Sequence, residues 1–181
     1  PSTLILALLF PQQPNPLLLT QFNGGSVQQN ANQIQHKTIE NTITFSFCSD
    51  PFAVREVLSE LHDTLLQKNV AESDVENADI VLSEALNNIV EHAYSDGKSG
   101  DIKLQYTVDA GFHTITITDN GLAMPDLTPP EGAAKPDDCA FEELPEGGFG
   151  WFMIRALTQN LSSQRHEGTN RLQFMLSIEE N

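Results

Sequence analysis

The segment SEALNNIVEHAY, Ser83–Tyr94, spaces Glu84, Asn88 and His92 four residues apart. Residues at i, i+4 and i+8 lie nearly above one another on a helix, so a carboxylate, an amide and an imidazole share one strip. Burying such groups costs free energy unless each finds a partner. Two readings are open for this strip. It is a solvated helix face, or it is a site where the carboxylate works as a base and an amide oxygen meets a metal or ligand. A second group is TDNGLAMP, where Asp119 closes an apolar run and Asn120-Gly121 follows. Asp-Asn-Gly is a frequent turn, but a strand end also presents side chains to ligands, and glycine permits close backbone approach. The third group is EGGFGWFMIRAL, in which Gly147, Gly148 and Gly150 lead into a helical pattern. A glycine-rich approach to a helix N-terminus offers backbone N–H groups and the positive end of the macrodipole to phosphate, or else it is a hinge. It is not a P-loop, since no G-K-[ST] follows, nor a dinucleotide fingerprint, since no strand leads directly into it.

The elements that must carry these groups are legible as patterns. TITFSF (Thr42–Phe47) alternates, with Ile43, Phe45 and Phe47 on one face, as a strand does. Asp50 and Pro51 suit the cap and first turn of a helix in which Val54, Leu58, Leu61 and Leu65 recur at helical spacing. A second helix is expected from Ser73, with Ser73 and Glu76 as a capping box and an apolar stripe of Val75, Ala78, Leu82, Ala85, Ile89 and Ala93. DIKLQYTVD and FHTITITD read as strands joined at Ala110-Gly111. A proline- and acid-rich stretch runs from about Pro125 to Glu146, followed by a helix with Ile154 and Leu157. LSSQRH and RLQFMLSI then close a hairpin around EGTN. The order implies an α+β two-layer sandwich, with helices on one face of a mixed, mainly antiparallel sheet.

The chain has 181 residues, 39% apolar, and a formal net charge of −16, which argues against a protein that grips nucleic acid through its phosphates. Length suits one domain with some excess. Residues 1–40 are set apart as an N-terminal extension and 41–181 as the domain. The extension has no charge before position 36, and its apolar run LILALLF is far short of the roughly 20 residues that span a bilayer. No basic segment precedes that run, so neither a membrane span nor a secretory leader is expected. Cys48 and Cys139 are too few for a disulfide framework and are read as reduced thiols of a cytoplasmic protein.

Taken in order, the three polar groups resemble the Bergerat-type (GHKL) ATP-binding fold of histidine kinases, Hsp90-type chaperones, type II topoisomerases and mismatch-repair ATPases. EALNN matches the N-box through Glu84 and Asn88, DNG the first glycine box, GGFG the second, and EGTN the threonine-bearing segment at Thr169. With the short preceding helix and the tail EHAY, Thr42 to Ile178 is similar to the anti-sigma-factor serine kinases of bacteria. The resemblance implies an ATP-dependent protein-serine kinase acting on a STAS-type antagonist in a partner-switching pathway. A sigma factor or response regulator would be a second partner, and the chain would be a homodimer. It further implies Glu84 as catalytic base and Asn88 as the Mg²⁺ ligand. Asp119 would accept from the adenine amino group, with Thr169 supporting it through water. Gly121 would admit the base, and Gly148 and Gly150 would let the loop close on the phosphates. The alternatives are a nucleotide- and partner-binding module without transfer, and the catalytic domain of a histidine kinase. Two positions depart from the family's pattern: Ala123 stands where a second glycine is usual, and Lys135 is the only basic residue of the lid segment. His62 lacks the basic residue and proline that follow a phosphoacceptor histidine. Trp151 and Phe152 are read as core, and His92 as orienting or packing.

Overall fold

The computed structural model describes residues 34–95, 98–132 and 149–177. All of them fall in one unit spanning Asn32–Asn181. Its six strands are β1 (Gln35–Ile39), β2 (Thr42–Cys48), β3 (Asp101–Asp109), β4 (Phe112–Asp119), β5 (Thr158–His166) and β6 (Thr169–Ser177). They form one sheet in the order β1-β2-β3-β4-β6-β5. Every ladder is antiparallel, so the parallel pair that a mixed sheet would need is absent among the described residues. β1 falls within the segment that the sequence reading set apart, and it pairs along its length with β2.

Alternation decides which face is covered. Ile43, Phe45 and Phe47, then Ile102, Leu104 and Tyr106, then Ile115 and Ile117, and finally Leu172, Phe174 and Leu176 all point inward and are buried. The intervening threonines and glutamines stay half-exposed, as one solvated face of an antiparallel sheet requires. Helices α1 (Pro51–Gln67), α2 (Glu72–Asn88) and α3 (Phe149–Leu157) carry the matching apolar stripes. The α1 stripe is Val54, Val57, Leu61 and Leu65, with Leu58 partly buried at its margin. Trp151 and Ile154 bring α3 into the same core.

Asp50 caps α1 as expected, its Oδ1 accepting from the N–H groups of Phe52 (2.8 Å) and Ala53 (3.2 Å). The capping box expected on α2 does not form. Ala71 holds the N-cap with extended backbone and no side-chain bond, and Ser73 lies inside the helix. The reason is the short link from α1. Val70 N–H bonds Leu65 O at 3.1 Å, Asn69 takes φ 60, and the chain re-enters a helix at once. Glu72 and Asp74 in the first turn complement the macrodipole instead. His62 spends its Nδ1 on Asp79 Oδ2 of α2, 2.7 Å away, which ties the two helices together.

At the far end of the core, Tyr106 OH and His113 Nδ1 bond at 2.6 Å, both fully buried. Burial pushes the Tyr106 hydroxyl far up and holds the His113 imidazole down, so the pair is neutral. Tyr106→Phe leaves the buried ring nitrogen without a partner. It is expected to lower the denaturant-unfolding free energy by about 1–3 kcal/mol with an unchanged m-value.

Candidate functional site

α2 does not end where its α-helical pattern stops. Ile89–Ala93 continues it as one wide turn of π type, which shifts the following residues around the helix axis. Glu84 and Asn88 precede the shift and remain one above the other, both half-buried. His92 lies after it and is exposed, so it leaves the strip in which the sequence spacing had placed it. Asn88 Nδ2 donates to Glu84 O at 2.7 Å. The amide is thereby oriented, and Oδ1 is the end left for a ligand. Burial first, and the charge of Glu91 second, push the Glu84 carboxyl above the ordinary glutamate range.

The wide turn instead delivers Ala93 and Tyr94 to the Asp-Asn-Gly segment at the end of β4. Leu122 N–H donates to Ala93 O at 2.8 Å. A Cβ at Gly121 would lie 2.5 Å from Ala93 O and 2.7 Å from Ala93 Cβ. The glycine therefore has a packing reason of its own, in addition to any ligand it admits. Tyr94 is buried, donates its hydroxyl to Asp101 O (3.0 Å) and accepts from Asn120 N–H (3.1 Å). A Cβ at Gly100 would overlap its ring. The tail of the sequence motif is thus a strut between β3 and the β4 turn.

Asp119 is 4% exposed. Its Oδ1 accepts from Gly121 N–H and from Asn170 Nδ2, both at 2.8 Å, and no partner for Oδ2 is found among the described residues. Burial pushes its carboxyl up, while the two hydrogen bonds and the Arg165 charge pull it back. Thr169, expected to support Asp119 through water, makes no direct bond to it, and its hydroxyl donates to Asn120 Oδ1 at 3.0 Å. The neighbour Asn170 makes the direct contact, a residue missed by sequence reasoning. Its signal was the cross-strand register, Asp119 opposite Asn170, which no local pattern reveals.

The third glycine group meets the first polar group. A Cβ at Gly150 would overlap Glu84 Oε2 and come within 3.6 Å of Asn88 Nδ2, so the first turn of α3 lies against both side chains. Gly147, Gly148 and Lys135 are outside the described residues, as is Cys139. Trp151 is buried as read, and Phe152 is half-buried, facing Phe149 with ring centroids 5.8 Å apart. The lid segment starts with a single turn, Pro125–Leu127, and its root is held to α3. Arg155 Nε donates to Pro130 O at 2.8 Å and Nη2 to Pro129 O at 2.6 Å. A Cβ at Gly132 would lie 2.9 Å from Phe152 Cα, which fixes the lid root close against the helix. Chemically, the arrangement offers a raised carboxylate, an oriented amide oxygen and a helix N-terminus side by side. A buried carboxylate with one free oxygen completes it.

Residues 47–176 match the family described as the histidine kinase-like ATPase domain. The serine-protein kinase RsbW of Oceanobacillus iheyensis is 32% identical over 96 residues, covering 52% of this chain and 60% of that protein. The protein of the same name in Bacillus cereus is 32% identical over 100 residues, covering 54% and 61%. The chain thus spans about 60% of the length of these curated relatives. In fold it is similar to the RsbU and RsbW domains of Rv1364c from Mycobacterium tuberculosis. That likeness has a TM-score of 0.54 at 18% identity, over 77% of this chain and 33% of that one.

Gly121→Ala drives a methyl group into the Ala93 backbone, which cannot swing away as a side-chain tip can. It is expected to cost about 1–3 kcal/mol, read as a drop in the thermal midpoint.

Proposed function

The chain belongs to the histidine kinase-like ATPase domain family, and from that premise we propose that it is an ATP- and Mg²⁺-dependent protein-serine kinase. Its substrate is a STAS-type antagonist in a bacterial partner switch, with residues 41–181 as the kinase domain. The observation that carries the reading is the meeting of Glu84, Asn88 and the first turn of α3 at Gly150. The similar proteins named serine-protein kinase support it. A sigma factor or response regulator is the second partner, the chain works as a homodimer, and it acts in the cytoplasm. Among the described residues no helix is long and apolar enough to cross a membrane.

The donor set suits the cation. Mg²⁺ prefers oxygen ligands and keeps several waters. Asn88 has its nitrogen committed to Glu84 O and its oxygen left over. Among the described residues no three His, Cys, Asp or Glu side chains cluster into a metal cage, which fits an ion held mainly by phosphate and water. When bound, Mg²⁺ would supply neutralising charge for the phosphates. The residues of the chain do the rest. Glu84 takes the proton from the substrate serine as its Oγ bonds to the γ-phosphorus and the bond to the β–γ bridging oxygen breaks, releasing ADP. Phosphoryl transfer is mostly positioning and charge stabilisation, so the N–H groups of the α3 start and the loop before it, including Gly148, receive phosphate oxygens. Asp119 Oδ2 accepts from the adenine amino group, and Gly121 keeps the turn close to the base. Thr169 acts through Asn120, with which it is bonded.

Incubation with ATP, Mg²⁺ and a cognate STAS protein is expected to place phosphoserine on the partner. A tight complex without phosphoserine would sink the kinase reading, and an acid-labile phosphohistidine on the chain would favour a histidine kinase domain. Glu84→Gln is expected to slow transfer by about 100-fold or more while nucleotide affinity stays within twofold or so of wild type. Near-normal turnover would refute the base assignment.

The sign of the pH dependence follows from the protonation state a base needs. Transfer rises with pH as Glu84 loses its proton, so the acid limb of the kcat/KM profile, which reports the free enzyme, lies above the 4.5 of an ordinary glutamate. Glu91→Gln removes one of the two causes of the upward shift and is expected to move that limb to lower pH. A limb that stays in place in this variant rules out the coupling.

A further inference from the structure

Asp119, Asn170 and Arg165 stand opposite one another on three adjacent strands. Asp119 of β4 pairs in register with Asn170 of β6, and Asn170 with Arg165 of β5. Arg165 Nη1 donates to Asn170 Oδ1 in a short contact, and to Gly121 O at 3.0 Å. Asn170 Nδ2 donates in turn to Asp119 Oδ1 at 2.8 Å and to Leu122 O at 2.9 Å. In the sequence Arg165 is only part of the strand pattern LSSQRH, with no role attached to it.

The chemistry of the three groups makes this arrangement directional. The two ends of an asparagine amide have nearly the same shape, and only their partners decide which way it faces. A guanidinium has donors alone, so it holds the amide oxygen and turns the NH₂ toward Asp119. With Gly121 N–H also on it, Asp119 Oδ1 is filled, and Oδ2 is the oxygen left as an acceptor. The Arg165 charge and the Asn170 bond also oppose the burial that pushes the Asp119 carboxyl up. The same arginine nitrogen grips the Gly121 carbonyl, so the turn and the carboxylate are oriented together.

We infer that Arg165 and Asn170 are positioning residues that aim the free oxygen of Asp119 at the nucleobase and thereby set the preference for adenine over guanine. The inference rests on the reading of Asp119 as the base-recognising group of an ATP site. Adenine offers an amino donor where guanine carries a carbonyl oxygen. A carboxylate oxygen held as a pure acceptor welcomes the first and repels the second. If the amide turned over, Asp119 would face the oxygen of Asn170 and lose its fixed direction.

The test measures displacement of a fluorescent ATP analogue from the full chain, with Mg²⁺, by ATP and by GTP. Arg165→Met keeps the length of the side chain and removes its donors. Asn170→Asp keeps an acceptor for Arg165 but has no N–H for Asp119. Each variant is expected to weaken ATP binding about tenfold while GTP binding holds, so the preference shrinks by the same factor. Arg165→Lys restores part of the loss. Thermal midpoints are measured alongside, and Asn170→Asp carries the test if Arg165→Met does not fold. Variants that keep the wild-type ATP-to-GTP ratio overturn the inference and leave the ATP site standing. So does parallel loss of both nucleotides with a falling midpoint, which is what a purely structural role produces. A wild-type chain that does not bind ATP brings down the reading of the site itself, and this inference with it.

Discussion

The close approach of Gly121 to the backbone of Ala93 is the constraint on which the rest of the site depends. It joins the end of the longest buried helical run to the end of a central strand, without a side chain between them. The Leu122 N–H to Ala93 O bond and the Tyr94 hydroxyl bridging Asn120 and Asp101 complete the joint. Because α2 is packed in the core through Val75, Ala78, Leu82 and Ala85, and the wide turn through Ile89, the joint has no slack along the helix. Asn88 sits immediately before the wide turn and Glu84 one turn further back on that rigid element, and Asp119 sits two residues before Gly121. The spacing between the two halves of the site is therefore set by backbone contact and not by long, rotatable side chains.

Electrostatics divides the site into two unlike ends. At the Asp119 end, burial is opposed by hydrogen bonds and by the Arg165 guanidinium. At the Glu84 end, both causes of the shift act in the same direction, upward, and no cation is among them. In the proposed reading, positive charge there comes from the ligand's own Mg²⁺ and from the first turn of α3. That suits a carboxylate whose task is to take a proton and not to hold a permanent ion pair. A chain with net charge −16 repels free phosphate in general. Local N–H groups and a metal then act against the field of the whole molecule, as they can at short range.

Much of the fold was legible because burial on one side of a layer writes a period into the sequence. The strands from Thr42 onward, the three helices and the closing hairpin follow that period. What escaped it was exposed or edge structure: β1 is exposed at all five positions, so its apolar pattern carries no signal. The start of α2 was misplaced because Ser73 and Glu76 satisfy a local rule, whereas the tight exit from α1 starts the next helix at Glu72. His92 was grouped with Glu84 and Asn88 on the assumption of a uniform helix, and nothing in IVEHA, which lacks glycine and proline, announces a wide turn.

By itself, then, the sequence determined the layers, the order of the elements and the positions of Glu84, Asn88, Asp119 and Gly150, because each lies within or beside a periodic or glycine-marked segment. Tertiary structure alone decided which residues surround them. The motif points to Thr169 acting through water, and register across β4 and β6 adds Asn170 as the direct partner of Asp119 while Thr169 bonds Asn120. The role of Gly121 as a contact point for Ala93, and the reach of Arg165 across two strands, arise the same way. Period and motif are local properties of a chain, whereas hydrogen-bond partners are fixed by pairing between segments 26 to 51 residues apart. That pairing is chosen by how the whole sheet buries its inner face.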